Sequence, residues 1–184
     1  MSETEKPPRN IVLIGFMGSG KSTVGRELHV RLGYPLVDMD QVIEQRAGKP
    51  ITAIFENDGE AAFREMETAL LRELANPAAP RRIVSTGGGV VGSEENRALL
   101  RSMGYVVWLD APAGVIVDRT SKNRQRPLLH TEDPAARIRE LMAFREPLYQ
   151  ETAHLKLDTA GLDSGELATG ILECARYHFS RHSQ

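Results

Sequence analysis

Short, wholly apolar runs separated by longer stretches of mixed polarity set the pattern of this chain. Ile11-Val12-Leu13-Ile14 is apolar at every position and stops at Gly15, as a strand covered on both faces requires. Tyr34-Pro35-Leu36-Val37 reads as a second strand ending at Asp38, and Arg82-Ile83-Val84-Ser85-Thr86 as a third running into Gly87-Gly88-Gly89. Tyr105-Val106-Val107-Trp108-Leu109 gives a fourth and His154-Leu155-Lys156-Leu157 a fifth. Between the strands the spacing predicts helices from about Lys21 to Leu32 and from Val42 to Arg46, the second stopped by Gly48-Lys49-Pro50. A longer helical region over 51–74 is broken near Asn57-Asp58-Gly59 and closed by the Ala/Pro turn at 75–80, and a further helix covers 134–146 with Arg145 at its end.

Strands alternating with helices build parallel βαβ units with right-handed crossovers, so the predicted fold is α/β, a three-layer αβα sandwich. Ligands in such sheets bind beyond the carboxyl ends of the strands. Gly15, Asp38 and Gly87 all fall at those ends and are expected to face one crevice. The 184 residues, 41% of them hydrophobic, suit a single domain over 10–180 behind a disordered polar leader at 1–9.

A formal charge of −2 provides no global positive field for a nucleic-acid backbone. No apolar run approaches the roughly 18 residues of a membrane span, and the leader lacks the apolar core of a signal peptide. Cys174 is the only cysteine, which excludes an internal disulfide and suits a reducing compartment; the expected location is the cytoplasm.

Gly15-Phe16-Met17-Gly18-Ser19-Gly20-Lys21-Ser22 matches G-x-x-x-x-G-K-[ST] directly after an apolar strand and before a helix, the context in which this pattern cradles phosphates. Glycines let backbone amides point inward, and the helix N-terminus favours anions. Lys21 then reaches the β/γ-phosphates, and the Ser22 hydroxyl suits Mg²⁺, a hard cation that prefers oxygen. Phe16 and Met17 read as packing or loop residues. Leu157-Asp158-Thr159-Ala160-Gly161 imitates a D-x-x-G switch but lies far from the P-loop with no N-K-x-D after it, and reads as the turn after the last strand.

Other segments leave two readings open. Asp38 and Asp40, two apart at a strand end, would point to one side, one holding Mg²⁺ through water and the other accepting a hydroxyl proton; Asp40 would equally cap the following helix. Arg64 and Glu67, three apart on a helix, let a carboxylate orient a guanidinium, or form a surface pair. Gly87-Gly88-Gly89 offers bare backbone to a ligand, or a flexible turn. Residues 119–129, rich in Arg and Lys, would close on phosphates or form a solvated loop. Trp108 reads as packing.

Together GFMGSGKST, VDMD, FREME, STGGGVV, RTSKNRQRPLL and REPLY, in this order from Asn10 to about Arg176, resemble the shikimate kinase family. The resemblance implies a five-stranded parallel sheet in order 2-3-1-4-5, a mobile lid at about 120–133, a monomer, and transfer of the ATP γ-phosphoryl group to the 3-hydroxyl of shikimate. It implies that Gly18, Ser19, Gly20, Lys21, Ser22 and Thr23 hold ATP, with Arg126 on the phosphates and Arg119 against adenine. Asp40, Lys21 and Arg126 become the catalytic candidates, Asp40 as base. Asp38 would support Mg²⁺ through water, beside Ser22 and Ser85. Arg64 and Arg145 would clamp the shikimate carboxylate, Glu67 orienting Arg64, while Gly87, Gly88 and Gly89 shape the pocket and Phe55 and Phe63 form its apolar wall. The turn at 158–164 departs from the basic, Asn-containing version in parts of the family, and no nucleotide contact is assigned to it.

Overall fold

A computed structural model of the protein describes residues 10–121 and 131–181. The leader at 1–9 and residues 122–130 of the expected lid, Arg126 among them, lie outside the described residues.

Five strands form one sheet: β1 (Asn10–Ile14), β2 (Leu36–Asp38), β3 (Ile83–Ser85), β4 (Gly104–Asp110) and β5 (Leu155–Asp158). Every neighbouring pair is parallel, and the order is β2-β3-β1-β4-β5, as the resemblance implies. The unbroken apolar run of β1 follows from its central place, because alternate residues bury on opposite faces. Ile11 and Leu13 pack with Leu109 against α1 (Lys21–Leu32) and α8 (Ser164–Arg181). Val12 and Ile14 pack on the other face with Trp108 against α2 (Met39–Ala47), α3 (Ile51–Asn57), α4 (Gly59–Leu74) and α5 (Glu94–Met103). A third apolar cluster joins Phe16 and Met17 to Ile116 of α6 (Ala113–Ser121) and Ile138 of α7 (Pro134–Thr152), which fixes these two helices beside the glycine-rich loop.

Three local expectations are corrected. Helix α2 starts at Met39, because Asp38 has extended backbone and its side chain accepts from the Gln41 amide at 3.3 Å. The capping residue is therefore Asp38, and Asp40 sits in the first helical turn, so strand alternation does not govern its direction. Helix α7 does not end near 146 but runs through Pro147 to Thr152. Pro147 has no N–H for the carbonyl of Ala143, yet the buried side chains of Arg145, Tyr149 and Thr152 hold both halves in place.

Candidate functional site

The glycine-rich loop leaves β1 at Gly15, whose φ of 142° suits glycine; a Cβ there would lie 2.5 Å from the Leu109 carbonyl oxygen. Helix α1 then starts with Gly20 as its N-cap and no side-chain cap, so its first amides remain available to an anion. Lys21 is buried, and its Nζ donates to the carbonyls of Gly15 at 2.8 Å and Phe16 at 2.9 Å. Ser22 Oγ donates to Asp38 Oδ2 at 2.8 Å, joining the loop to the end of β2. Arg119 on α6 donates to the Gly18 carbonyl at 2.8 Å. A cavity of about 410 Å³ follows, lined by Gly18, Ser19, Gly20, Lys21, Ser22, Thr23, Ser85 and Arg119. Ser19 Oγ is buried without a hydrogen-bond partner among the described residues, a donor turned to no protein acceptor.

A second cavity, of about 590 Å³, holds Arg64, Glu67, Arg145, Phe55, Phe63 and the turn Gly87-Gly88-Gly89. Met17, Ser22, Asp38, Asp40 and Gly88 line both cavities, so the two chambers share a wall carrying both carboxylates. On α4, Arg64 bridges to Glu67 at 2.5 Å and to Glu60 at 3.1 Å. Arg145, only 6% exposed, lies over the Phe16 ring at 5.4 Å from its centroid. Phe55 and Phe63 pack with ring centroids 5.0 Å apart and form an apolar side of the chamber. The glycine turn presses close: a Cβ on Gly87 would lie 2.6 Å from Glu67 Oε1 and 3.1 Å from Asp40 Oδ1, and one on Gly89 would lie 2.5 Å from Arg64 Nη2.

Burial dominates the electrostatics. It pushes the Glu67 carboxyl above the usual range, against the pull of Arg64, and Asp40 pushes it further. Arg64 keeps a raised pKa although burial opposes its charge, because Glu67 and Glu60 outweigh that cost. Arg145 is lowered, first by burial and then by the neighbouring Arg64 charge, with Tyr149 and Glu67 opposing. Two guanidinium groups thus face one partly buried space. Arg145 Nη1 and Glu67 Oε1 are buried without hydrogen-bond partners among the described residues. An anionic, hydroxylated ligand would satisfy both at once.

Among the described residues no group of three or more His, Cys, Asp or Glu could hold a metal ion unaided. Ser22 Oγ and Asp38 Oδ2 are hard oxygen donors on the shared wall, a set that suits a cation completed by water and phosphate oxygens.

All the sequence-predicted site residues within the described residues therefore meet in the two connected chambers. Sequence reasoning missed Gln41, Glu44 and Thr52 in the larger chamber and Thr159 and Leu162 in the smaller one. Leu162 had a signal: it is a large apolar residue inside a polar turn, and it stays 46% exposed.

Comparison with known proteins covers the same ground. The shikimate kinase family profile matches residues 17–176. A shikimate kinase from Thioalkalivibrio sulfidiphilus is 46% identical over 169 residues, covering 92% of this chain and 86% of that protein. One from Neisseria gonorrhoeae is 47% identical over 150 residues, covering 82% and 87%. A solved shikimate kinase from Acinetobacter baumannii in complex with shikimate has a TM-score of 0.88 at 39% identity, covering 98% of this chain and 97% of that one. Since the matched span, from Met17 in the glycine-rich loop to Arg176, takes in the paired carboxylates, the glycine turn and Arg145, the chain belongs to the shikimate kinase family.

Proposed function

We propose that the protein transfers the γ-phosphoryl group of ATP to the 3-hydroxyl of shikimate, giving shikimate 3-phosphate and ADP, a step of aromatic amino-acid biosynthesis. The observation that carries this reading is the shared wall, where a phosphate cradle and a chamber with two guanidinium groups meet at Asp38, Asp40 and Ser22.

The loop amides at 18–23, Lys21 and the N-terminus of α1 hold the triphosphate. Arg64 and Arg145 grip the carboxylate of the ring, Glu67 orienting Arg64, while Phe55 and Phe63 cover its apolar face. Asp40, on the shared wall, is the base. The substrate oxygen attacks the γ-phosphorus, its proton passes to Asp40, and the bond to the bridging oxygen breaks to release ADP. Ser22, with Asp38 through water and Ser85 alongside, would hold Mg²⁺, which would supply positive charge against the phosphates. On the family resemblance, a lid at about 120–133 would bring Arg126, which lies outside the described residues, to the phosphates, and Arg119 would lie against adenine.

In this reading residues 10–180 are one kinase domain that works as a cytoplasmic monomer. Among the described residues no helix is long and apolar enough to cross a membrane. The test is ADP release from ATP and Mg²⁺ with shikimate, gluconate or nucleoside monophosphates as acceptor. Turnover is expected with shikimate only. Equal turnover without it, or faster turnover with gluconate, sinks the proposal.

A further inference from the structure

The guanidinium of Arg145 is buried, and its Nη1 has no protein partner among the described residues. Tyr149 stands beside it. It follows Arg145 by four residues on α7, so both side chains occupy one helix face. The Tyr149 phenol stands close enough to the Arg145 guanidinium to interact with it electrostatically, and its O–H donates to the Gly88 carbonyl in the middle of the glycine turn. Tyr149 is only 2% exposed, and burial pushes its pKa up to about 12, so the phenol remains a neutral donor at any working pH.

The ring is itself braced. Tyr149 stacks on Trp108 of β4 with centroids 5.6 Å apart, and Lys156 covers Trp108 at 4.2 Å while pairing with Asp110 at 3.0 Å. Pro147 lies between Arg145 and Tyr149 and removes a helical hydrogen bond from that turn. The helix backbone alone therefore holds Arg145 less firmly than an unbroken helix would. A planar guanidinium binds a carboxylate through a fixed fork, so the direction of its open edge is set by whatever anchors the other.

We propose that Tyr149 is a positioning residue: standing beside Arg145 while donating to the Gly88 carbonyl, it aims the guanidinium at the substrate carboxylate and locks α7 to the glycine turn. This rests on the reading of Arg145 as part of the carboxylate clamp. Tyr149 touches no substrate and acts through Arg145.

Tyr149→Phe removes only the hydroxyl and keeps the stack on Trp108, so the fold survives. The measurement is initial rate against shikimate and against ATP for wild type, Tyr149→Phe, Arg145→Ala and the double variant, with a thermal melt of each. Tyr149→Phe is expected to raise the shikimate KM about tenfold, the scale of one polar contact with a charged group, while kcat and the ATP KM change less than about threefold. The double variant should bind shikimate no worse than Arg145→Ala alone, since the two side chains act as one unit. With an analogue whose carboxylate is replaced by a hydroxymethyl group, wild type and Tyr149→Phe should have the same KM. A Tyr149→Phe protein with a lowered melting temperature but unchanged shikimate KM has lost only packing, and overturns the proposal. Additive losses in the double variant overturn it too. If instead Arg145→Ala leaves the shikimate KM unchanged, the clamp itself is misassigned, a separate failure visible before Tyr149 is considered.

Discussion

Gly89→Ala tests the pocket with a single added carbon. The new Cβ would lie 2.5 Å from Arg64 Nη2 and 2.6 Å from Nη1, short of the 3.4 Å where ordinary contact begins, so the guanidinium must retreat by about 0.9 Å. Backbone strain is not the issue, because Gly89 has φ −97° and ψ 0°, a conformation open to alanine. The obstacle is the mobile end of a side chain that is 28% exposed, and Arg64 can yield toward Glu60 without disturbing the core. Stability should therefore fall by no more than about 1 kcal/mol, the ordinary cost of a substitution that opens no cavity. Binding should suffer much more. A charge-assisted hydrogen bond contributes about 1.5–3 kcal/mol, and a shift of about 1 Å from productive geometry costs up to roughly 100-fold. The shikimate KM is expected to rise about 10- to 100-fold, approaching that of Arg64→Ala, while the ATP KM stays within about twofold. Initial-rate assays of ADP release, varying one substrate at a time, measure both. Gly92→Ala is the control: a Cβ at Gly92 meets nothing within 4 Å, so its kinetics should match wild type. A Gly89→Ala enzyme with wild-type shikimate KM would refute the idea that Arg64 binds substrate from its observed place.

Asp40→Asn should fold and bind both ligands in calorimetry yet lose most turnover; a rate within a few-fold of wild type means that the base lies elsewhere or that a loose transition state needs none. Glu67 has a pKa raised above 4.5, so its contribution to folding is fullest below that value and is lost as pH rises through the raised one, while acid that protonates it frees Arg64. The shikimate KM should climb as pH falls through a range above the usual carboxylate range, and Glu67→Gln should flatten both this rise and that part of the melting profile; an unaltered profile in Glu67→Gln removes Glu67 as the titrating group. Asp38→Asn keeps an oxygen for the Gln41 amide, so the helix start should survive while the Mg²⁺ concentration for half-maximal rate increases. An unchanged Mg²⁺ requirement argues that Asp38 has no part in holding the ion.

The legible parts of this protein are those governed by local chemistry. The run 11–14 shows itself because a central strand buries both faces, and the loop after it because its glycines and Lys21 serve one ligand class. The strand at 36–38 is short and half-buried, and sequence shifted its start to Tyr34. Asp40 illustrates a deeper limit. The choice between strand and helix at that residue depends on the side chain of Asp38 turning back onto the Gln41 amide, which the spacing of two acids does not reveal. The helix expected over 134–146 stops just before Pro147, a residue that locally disfavours its continuation; the observed helix continues because Tyr149 finds Trp108 and Gly88 far away in sequence. Thr159 reaches the smaller chamber because β5 pairs with β4, its amide donating to the Asp110 carbonyl at 2.9 Å, and no short motif carries that information.

Met17, Ser22, Asp38, Asp40 and Gly88 line both chambers, so a ligand in either one sits beside residues that also bound the other. Thermodynamic linkage then imposes an equality: whatever factor ATP introduces into the affinity for shikimate, shikimate must return to the affinity for ATP. A molecule bridging the partition, with a polyphosphate tail on one side and a carboxylate-bearing ring on the other, would draw on both affinities through a single attachment.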